Sequence, residues 1–144
     1  MITLLQRVSE ARVDVDNNSI ASIQQGILVL VGVEADDDVA RGRQFVDRLL
    51  NYRVFSDADG KMNLSLRDVG GGLLLVPQFT LAANTKKGRR PSFASAAPPQ
   101  HGKAIFESMV DYARGCHETV GCGQFGADMQ VQLVNDGPVS FILD

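Results

Sequence analysis

The alternation of apolar and polar residues changes period several times along the chain, and each change marks an element. Ile2 to Val8 is rich in apolar residues and predicts a strand, while Val13 and Val15 alternate with Asp14 and Asp16 in a second. Asp16-Asn17-Asn18 is a turn signal, so residues 12–23 predict a hairpin. Gly26 opens Ile27-Leu28-Val29-Leu30-Val31, which is apolar on both faces and predicts a fully buried central strand. Asp36-Asp37-Asp38 stands directly before a helical pattern, where acids serve as N-cap and first-turn residues. Val39, Phe45, Val46, Leu49 and Leu50 form the expected buried face of that helix. Val54 and Phe55 run into a turn at Asp57-Ala58-Asp59-Gly60, which lacks the glycine and glutamate of a calcium loop. Gly70-Gly71-Gly72 is followed by no Gly-Lys-Ser/Thr and reads as a flexible lead into a buried strand, Leu73-Leu74-Leu75-Val76.

Beyond Pro98-Pro99, a helix-start signal, Ile105, Phe106, Met109, Val110 and Ala113 share one face of a second helix. Met129, Val131 and Leu133 alternate with Gln130 and Gln132 in a half-buried strand that ends at Asn135-Asp136-Gly137-Pro138. Val139 to Leu143 follows as a final strand. Strands outnumber the two main helices and come in mixed order. The expectation is a single α+β domain over residues 1–144, with a mixed, strongly curved, barrel-like sheet.

Charge adds a feature that periodicity does not show. Val69 to Phe106 contains no Asp or Glu, although the chain has 17 acids in 144 residues. Simple proportion would place about four or five there. The same window carries Lys86, Lys87, Arg89 and Arg90 on a chain whose formal net charge is −3. Concentrated positive charge on an acidic background favours an oriented encounter with a polyanion over indiscriminate sticking. Cys116 and Cys122 give neither a disulfide framework nor a zinc pair, so no metal or other cofactor is expected. Met1-Ile2-Thr3-Leu4-Leu5 lacks a basic leader and reads as a strand, and no apolar run is long enough for a membrane. A cytoplasmic protein is the expectation.

Candidate chemistry is sparse. A serine or threonine nucleophile needs a base within hydrogen-bond reach, and the chain has only His101 and His117 to offer. No nucleophile elbow and no local carboxylate pair are present. Backbone N–H groups of Pro77-Gln78-Phe79-Thr80-Leu81 could stabilise an oxyanion; the plainer reading of that segment is a strand end with a surface polar pair. Gly137-Pro138 is either an ordinary turn or a special backbone geometry between two strands.

Read together, these segments resemble a known family. Pro77-Gln78-Phe79-Thr80-Leu81 is similar to the Ser-Gln-Phe-Thr-Leu motif of the D-aminoacyl-tRNA deacylases, and Asn135-Asp136-Gly137-Pro138-Val139-Ser140 to their Asn-x-Gly-Pro motif. The flanks agree along the whole chain, including Gln6-Arg7-Val8, Tyr52-Arg53-Val54-Phe55, Arg90-Pro91-Ser92-Phe93 and Ala127-Asp128-Met129-Gln130. Pro77 stands where the family has serine, and Ser140 where it has threonine.

The resemblance implies a homodimer that hydrolyses the ester of a D-amino acid, or of mischarged glycine, on tRNA. It assigns catalysis to Gln78, Phe79 and Thr80, chiefly through main-chain groups and the RNA's terminal 2′-hydroxyl, with Thr80 also considered as a nucleophile. Gly137, Pro138, Arg7 and Met129 would line the substrate pocket. The Gly-Pro pair, in cis and contributed by the partner subunit, would bar L side chains, and Arg7 would hold it. Lys86, Lys87, Arg89 and Arg90 become candidates for acceptor-stem phosphates. Two rival readings stand beside this one: an editing domain for a mischarged L-aminoacyl-tRNA, and a non-catalytic RNA-binding module.

Overall fold

The computed structural model describes residues 1–144. Eight strands are present: β1 (Ile2–Val15), β2 (Asn18–Ile23), β3 (Gly26–Gly32), β4 (Phe55–Ser56), β5 (Met62–Leu64), β6 (Gly72–Pro77), β7 (Val120–Cys122) and β8 (Gln130–Leu143). The helices are α1 (Val39–Asn51), the short α2 (Leu66–Val69) and α3 (Pro99–Cys116). The main sheet runs β2-β1-β3-β6-β7, with β8 paired along the other edge of β1. β3 and β6, and β6 and β7, are parallel, whereas every pairing of β1 is antiparallel. The sheet is therefore mixed, as expected, and β1 bends so that its two halves serve different layers.

Two cores follow from that bend. One face of β3 and β6 presents Ile27, Val29, Leu73 and Leu75 to the helices, where they meet Phe45, Leu49, Leu50, Ile105, Phe106 and Met109. The other face presents Leu28, Leu74 and Val76 to the curled-over half of the sheet, where Val8, Ala11, Val13 and Ile23 close a smaller interior. A continuous apolar run is what a strand covered on both faces requires. The Tyr112 hydroxyl donates to the Asp47 carboxylate at 3.1 and 3.2 Å, tying α3 to α1.

Several local expectations are refined. Asp16 and Asn17 turn with φ of 50° and 62°, confirming the hairpin. Of the three acids before α1, Asp38 alone caps the helix, accepting the Arg41 N–H at 2.7 Å. Asp37 is buried instead, accepting the Glu34 N–H at 2.7 Å and pairing with the Met1 amino group at 2.8 Å. Val39, placed on the buried face by its spacing, is exposed, because it is the first residue of the helix and projects past the core.

The triple glycine is not a flexible lead. Gly70 ends α2 with φ 63°, and Gly72 packs so tightly under Gly26 that a Cβ on Gly26 would lie 1.9 Å from the Gly72 carbonyl oxygen. The glycines let two parallel strands enter the sheet at close quarters.

β8 also departs from expectation. Asn135 to Pro138 does not separate two strands; β8 is one strand that buckles. Gln6 pairs with Ser140 and Val8 with Asn135, so the single residue Arg7 faces the four residues 136–139. Those four form an excursion from the sheet edge.

Candidate active site

The Gln78-Phe79-Thr80 segment leaves β6 at Pro77, whose own lack of an N–H suits a strand terminus. The Gln78 N–H donates to the Val31 carbonyl at 2.8 Å, which fixes the segment to the end of β3. The chain then closes a single 3₁₀ turn, Phe79–Ala82, with Leu81 N–H bonded to the Gln78 carbonyl at 3.2 Å. A turn of this kind leaves its leading N–H groups without internal acceptors. Those of Phe79 and Thr80 have no acceptor elsewhere in the chain, and both residues are exposed. The segment thus leaves the end of β6 with a surface Gln78–Thr80 polar pair, and it does so as a 3₁₀ turn.

Thr80 is exposed, and its hydroxyl accepts a hydrogen bond from the Gln78 side-chain amide. No histidine serves it. His101 Nε2 lies 2.7 Å from the Asp37 carbonyl and His117 Nε2 lies 2.7 Å from the Gly71 carbonyl. A carbonyl accepts only from a protonated nitrogen, so both rings spend that nitrogen on local structure. Met129, half-buried just before β8, meets this end of the sheet: its sulfur accepts the Gln124 N–H at 3.3 Å. A Cβ placed on Gly123 would touch both Met129 Sδ at 2.9 Å and Pro77 Cδ at 3.2 Å, which puts Met129 beside the turn.

The excursion of β8 is held at its neck and at its flank. The Asn135 carboxamide accepts the Val139 N–H at 2.8 Å and donates to the Ser140 hydroxyl at 2.9 Å. Arg7 donates from Nε to the Asp136 carbonyl at 2.9 Å and from Nη1 to the Val54 carbonyl at 2.7 Å. Gly137-Pro138 is cis and Gly137 has φ 142°, with Gly137 and Pro138 both exposed at the tip. Arg7 and the Gly-Pro pair are therefore brought together. The Asn135 bracket was not foreseen; its only signal was the asparagine of the motif itself.

The turn and the excursion do not meet within one chain. Arg7 pairs with Ile27 near the start of β3, whereas Gln78 is bonded to Val31 near its end. Four strand positions separate them, roughly 13 Å at the usual rise per residue.

The cationic segment begins immediately after the turn. Asn84 and Ser92 exchange backbone hydrogen bonds at 2.8 and 3.0 Å and close the loop, and the Asn84 side chain accepts the Lys86 N–H at 3.0 Å. Lys86, Lys87, Arg89 and Arg90 are all exposed on it, and none is engaged in an ion pair. Phe93, just beyond the neck, returns to contact Phe79.

This curved mixed sheet with helices packed on one face is the fold of the tRNA deacylases. The family described as D-Tyr-tRNA(Tyr) deacylase matches residues 4–144. A D-aminoacyl-tRNA deacylase of Pseudomonas fluorescens (strain Pf0-1) is 62% identical over 140 residues, covering 97% of each chain. One from Stutzerimonas stutzeri (strain A1501) is 60% identical over 141 residues, covering 98% of this chain and 97% of that one. Among solved structures, the c-Myc DNA unwinding element binding protein superposes with a TM-score of 0.95 at 36% identity, covering 100% of this chain and 98% of that one. A probable eukaryotic D-amino acid tRNA deacylase, at 18% identity and a TM-score of 0.83 over 99% of this chain and 97% of that one, shares the fold. The chain belongs to the D-Tyr-tRNA(Tyr) deacylase family. It is an ester hydrolase acting on D-aminoacyl-tRNA in translation proofreading. No helix is long and apolar enough to cross a membrane.

Proposed function

We propose that the ester is cleaved at the Phe79–Thr80 main chain, and that discrimination against L-aminoacyl groups comes from the Gly137-Pro138 tip of a second copy of the chain. The carrying observation is the exposed 3₁₀ turn whose Phe79 and Thr80 N–H groups have no acceptor in the chain, and to whose Thr80 no histidine bonds. Water adds to the ester carbonyl carbon, and the resulting oxyanion is received by those N–H donors, positions fixed before the substrate arrives. The C–O bond to the RNA then breaks, and the departing 3′-oxygen takes up a proton, leaving free amino acid and tRNA. With no side-chain base at hand, the 2′-hydroxyl of the terminal adenosine is the group that helps to activate the water.

Chirality is read by exclusion. A rigid backbone tip rejects a side chain of the wrong hand whatever its chemistry, so the pocket stays open to many D-amino acids and to glycine, which has no side chain to reject. Separation of the tip from the turn within one chain supports a site completed across a homodimer. Gln78 orients Thr80, Met129 lines the pocket, Arg7 holds the tip, and Lys86, Lys87, Arg89 and Arg90 meet acceptor-stem phosphates.

Matched D- and L-aminoacyl-tRNAs test the reading. D-acylated and glycylated tRNA should be cleaved and L-acylated tRNA spared. Preferential L cleavage would make the chain an editing domain of the opposite hand. Substrate carrying the amino acid on the 3′ position and hydrogen at the 2′ position should react much more slowly, and an unchanged rate would sink the RNA-assisted step.

A further inference from the structure

The two aromatic rings beside the basic loop play no part in the chemistry above. Phe79 and Phe93 are 56% and 40% exposed, with ring centroids 5.2 Å apart and planes tilted by 52°. Their contact is built, because fourteen positions of chain separate them. The Asn84–Ser92 backbone pair brings the loop back, the Ser95 hydroxyl donates to the Ala82 carbonyl at 2.6 Å, and the Ala96 N–H donates to the Phe93 carbonyl at 3.0 Å. The fold thus holds two large rings together in solvent, where their burial would otherwise be favourable.

The surroundings indicate what covers them. Lys86, Lys87, Arg89 and Arg90 crown the same loop, and no acid lies between Val69 and Phe106. Exposed aromatic faces flanked by cations of one sign suit a nucleic-acid strand with unpaired bases, phosphates meeting the cations and a base meeting the ring. Inside a duplex both faces of every base are covered by its neighbours, whereas a single-stranded 3′ overhang leaves base faces free.

We propose that the Phe79–Phe93 pair is a stacking platform for an unpaired base in the 3′ overhang of the RNA, with Phe93 supplying contact area and holding the Phe79 ring. This deepens the reading that aminoacylated RNA is the substrate and rests on it. Phe79 then has two duties: its ring receives a base while its N–H faces the ester.

The chain contains no tryptophan, so Phe93→Trp introduces a single tryptophan at the platform, whose emission is excited selectively over that of Tyr52 and Tyr112. Titration with an uncharged hairpin RNA bearing a 3′ overhang should quench it. The same hairpin with abasic overhang nucleotides should bind about tenfold more weakly, the scale of one base–aromatic stack, and quench little. Equal affinity and quenching for the two RNAs would overturn the proposal. In the deacylation assay Phe93→Leu should raise KM about tenfold with little change in kcat, and Phe93→Tyr should restore KM, since any aromatic face stacks. If Phe93→Leu instead shifts the sedimentation of the protein and leaves RNA affinity unchanged, the rings are a subunit contact and the proposal fails. Binding of uncharged RNA is scored separately from ester cleavage, so loss of the platform and loss of the deacylase reading give different results.

Discussion

Replacing Arg7 with methionine isolates the tether between the β8 excursion and the rest of the sheet. The side chain is 13% exposed and spans two carbonyls, Asp136 at 2.9 Å and Val54 at 2.7 Å. Methionine keeps the buried stem and removes both donors. Hydrogen bonds from a charged group are worth about 1.5–3 kcal/mol each, and the Val54 carbonyl would be left poorly satisfied. The ion pair with the exposed Asp136 carboxylate, at 3.5 Å, adds little. A loss of about 3 kcal/mol is expected, a large share of the 5–15 kcal/mol typical of a domain but not enough to unfold it. Half of that loss falling on the excursion would cost about tenfold in preference for D over L substrate. Urea denaturation gives the first quantity, and initial rates on matched D- and L-aminoacyl-tRNA give the second. Arg7→Lys should fall between, because one ammonium cannot span both carbonyls in the manner of a guanidinium. If Arg7→Met loses the stability and keeps the full preference, Arg7 supports the fold and does not set the tip.

Four further outcomes are expected. Gly137→Ala would place a Cβ 2.7 Å from Val139 Cγ2 and 3.0 Å from the Val139 nitrogen at φ 142°, so the tip must move; L-aminoacyl-tRNA cleavage should rise or D cleavage fall, and unaltered kinetics would remove the tip from the site. Thr80→Ala should keep substantial activity if water attacks, whereas complete loss in a folded variant would make Thr80 the nucleophile. Neutralising Lys86, Lys87, Arg89 and Arg90 together should flatten the dependence of log affinity on log salt by roughly 0.7–0.9 for each phosphate they neutralise; an unchanged slope would show that the loop does not touch RNA. The Ser65 N–H and hydroxyl hold the Asp68 carboxyl below its ordinary 3.8. A group depressed on folding stabilises above its unfolded value and loses that contribution as pH falls through the folded value. Denaturation midpoints of wild type and Asp68→Asn should therefore differ near neutral pH and converge in acid; curves that stay parallel would exclude the capping pair as the cause.

Much of the scaffold was legible because it rests on local periodicity. The unbroken apolar runs of β3 and β6 showed that both strands are buried, and the helical spacing of Ile105, Phe106, Met109, Val110 and Ala113 showed which face of α3 packs inward. What escaped depends on partners remote in sequence. Asp37 looks like its neighbours until Met1 and Glu34 are placed against it. Asn135 to Pro138 carries every mark of a turn, and only the pairing of its flanks with Gln6 and Val8 makes it a buckle in one strand. The 3₁₀ turn at Phe79 has no period of its own, so its donors could be suspected but not placed. The Phe79–Phe93 contact joins residues on either side of a loop and had no local signal.

The buckle in β8 obeys a parity rule. The buckle adds three residues to β8 and a bulge at Ser9 adds one to β1, so between the pairs Glu10–Val134 and Gln6–Ser140 β1 advances four residues and β8 advances six. The surplus is even, so odd-numbered residues of β8 face inward both before and after it: Val131 and Leu133 against the smaller core, Phe141 and Leu143 against the larger. Because strand faces alternate with period two, a one-residue insertion or deletion at the tip would turn one whole half of β8 inside out. Lineages that lengthen or shorten this tip should do so two residues at a time.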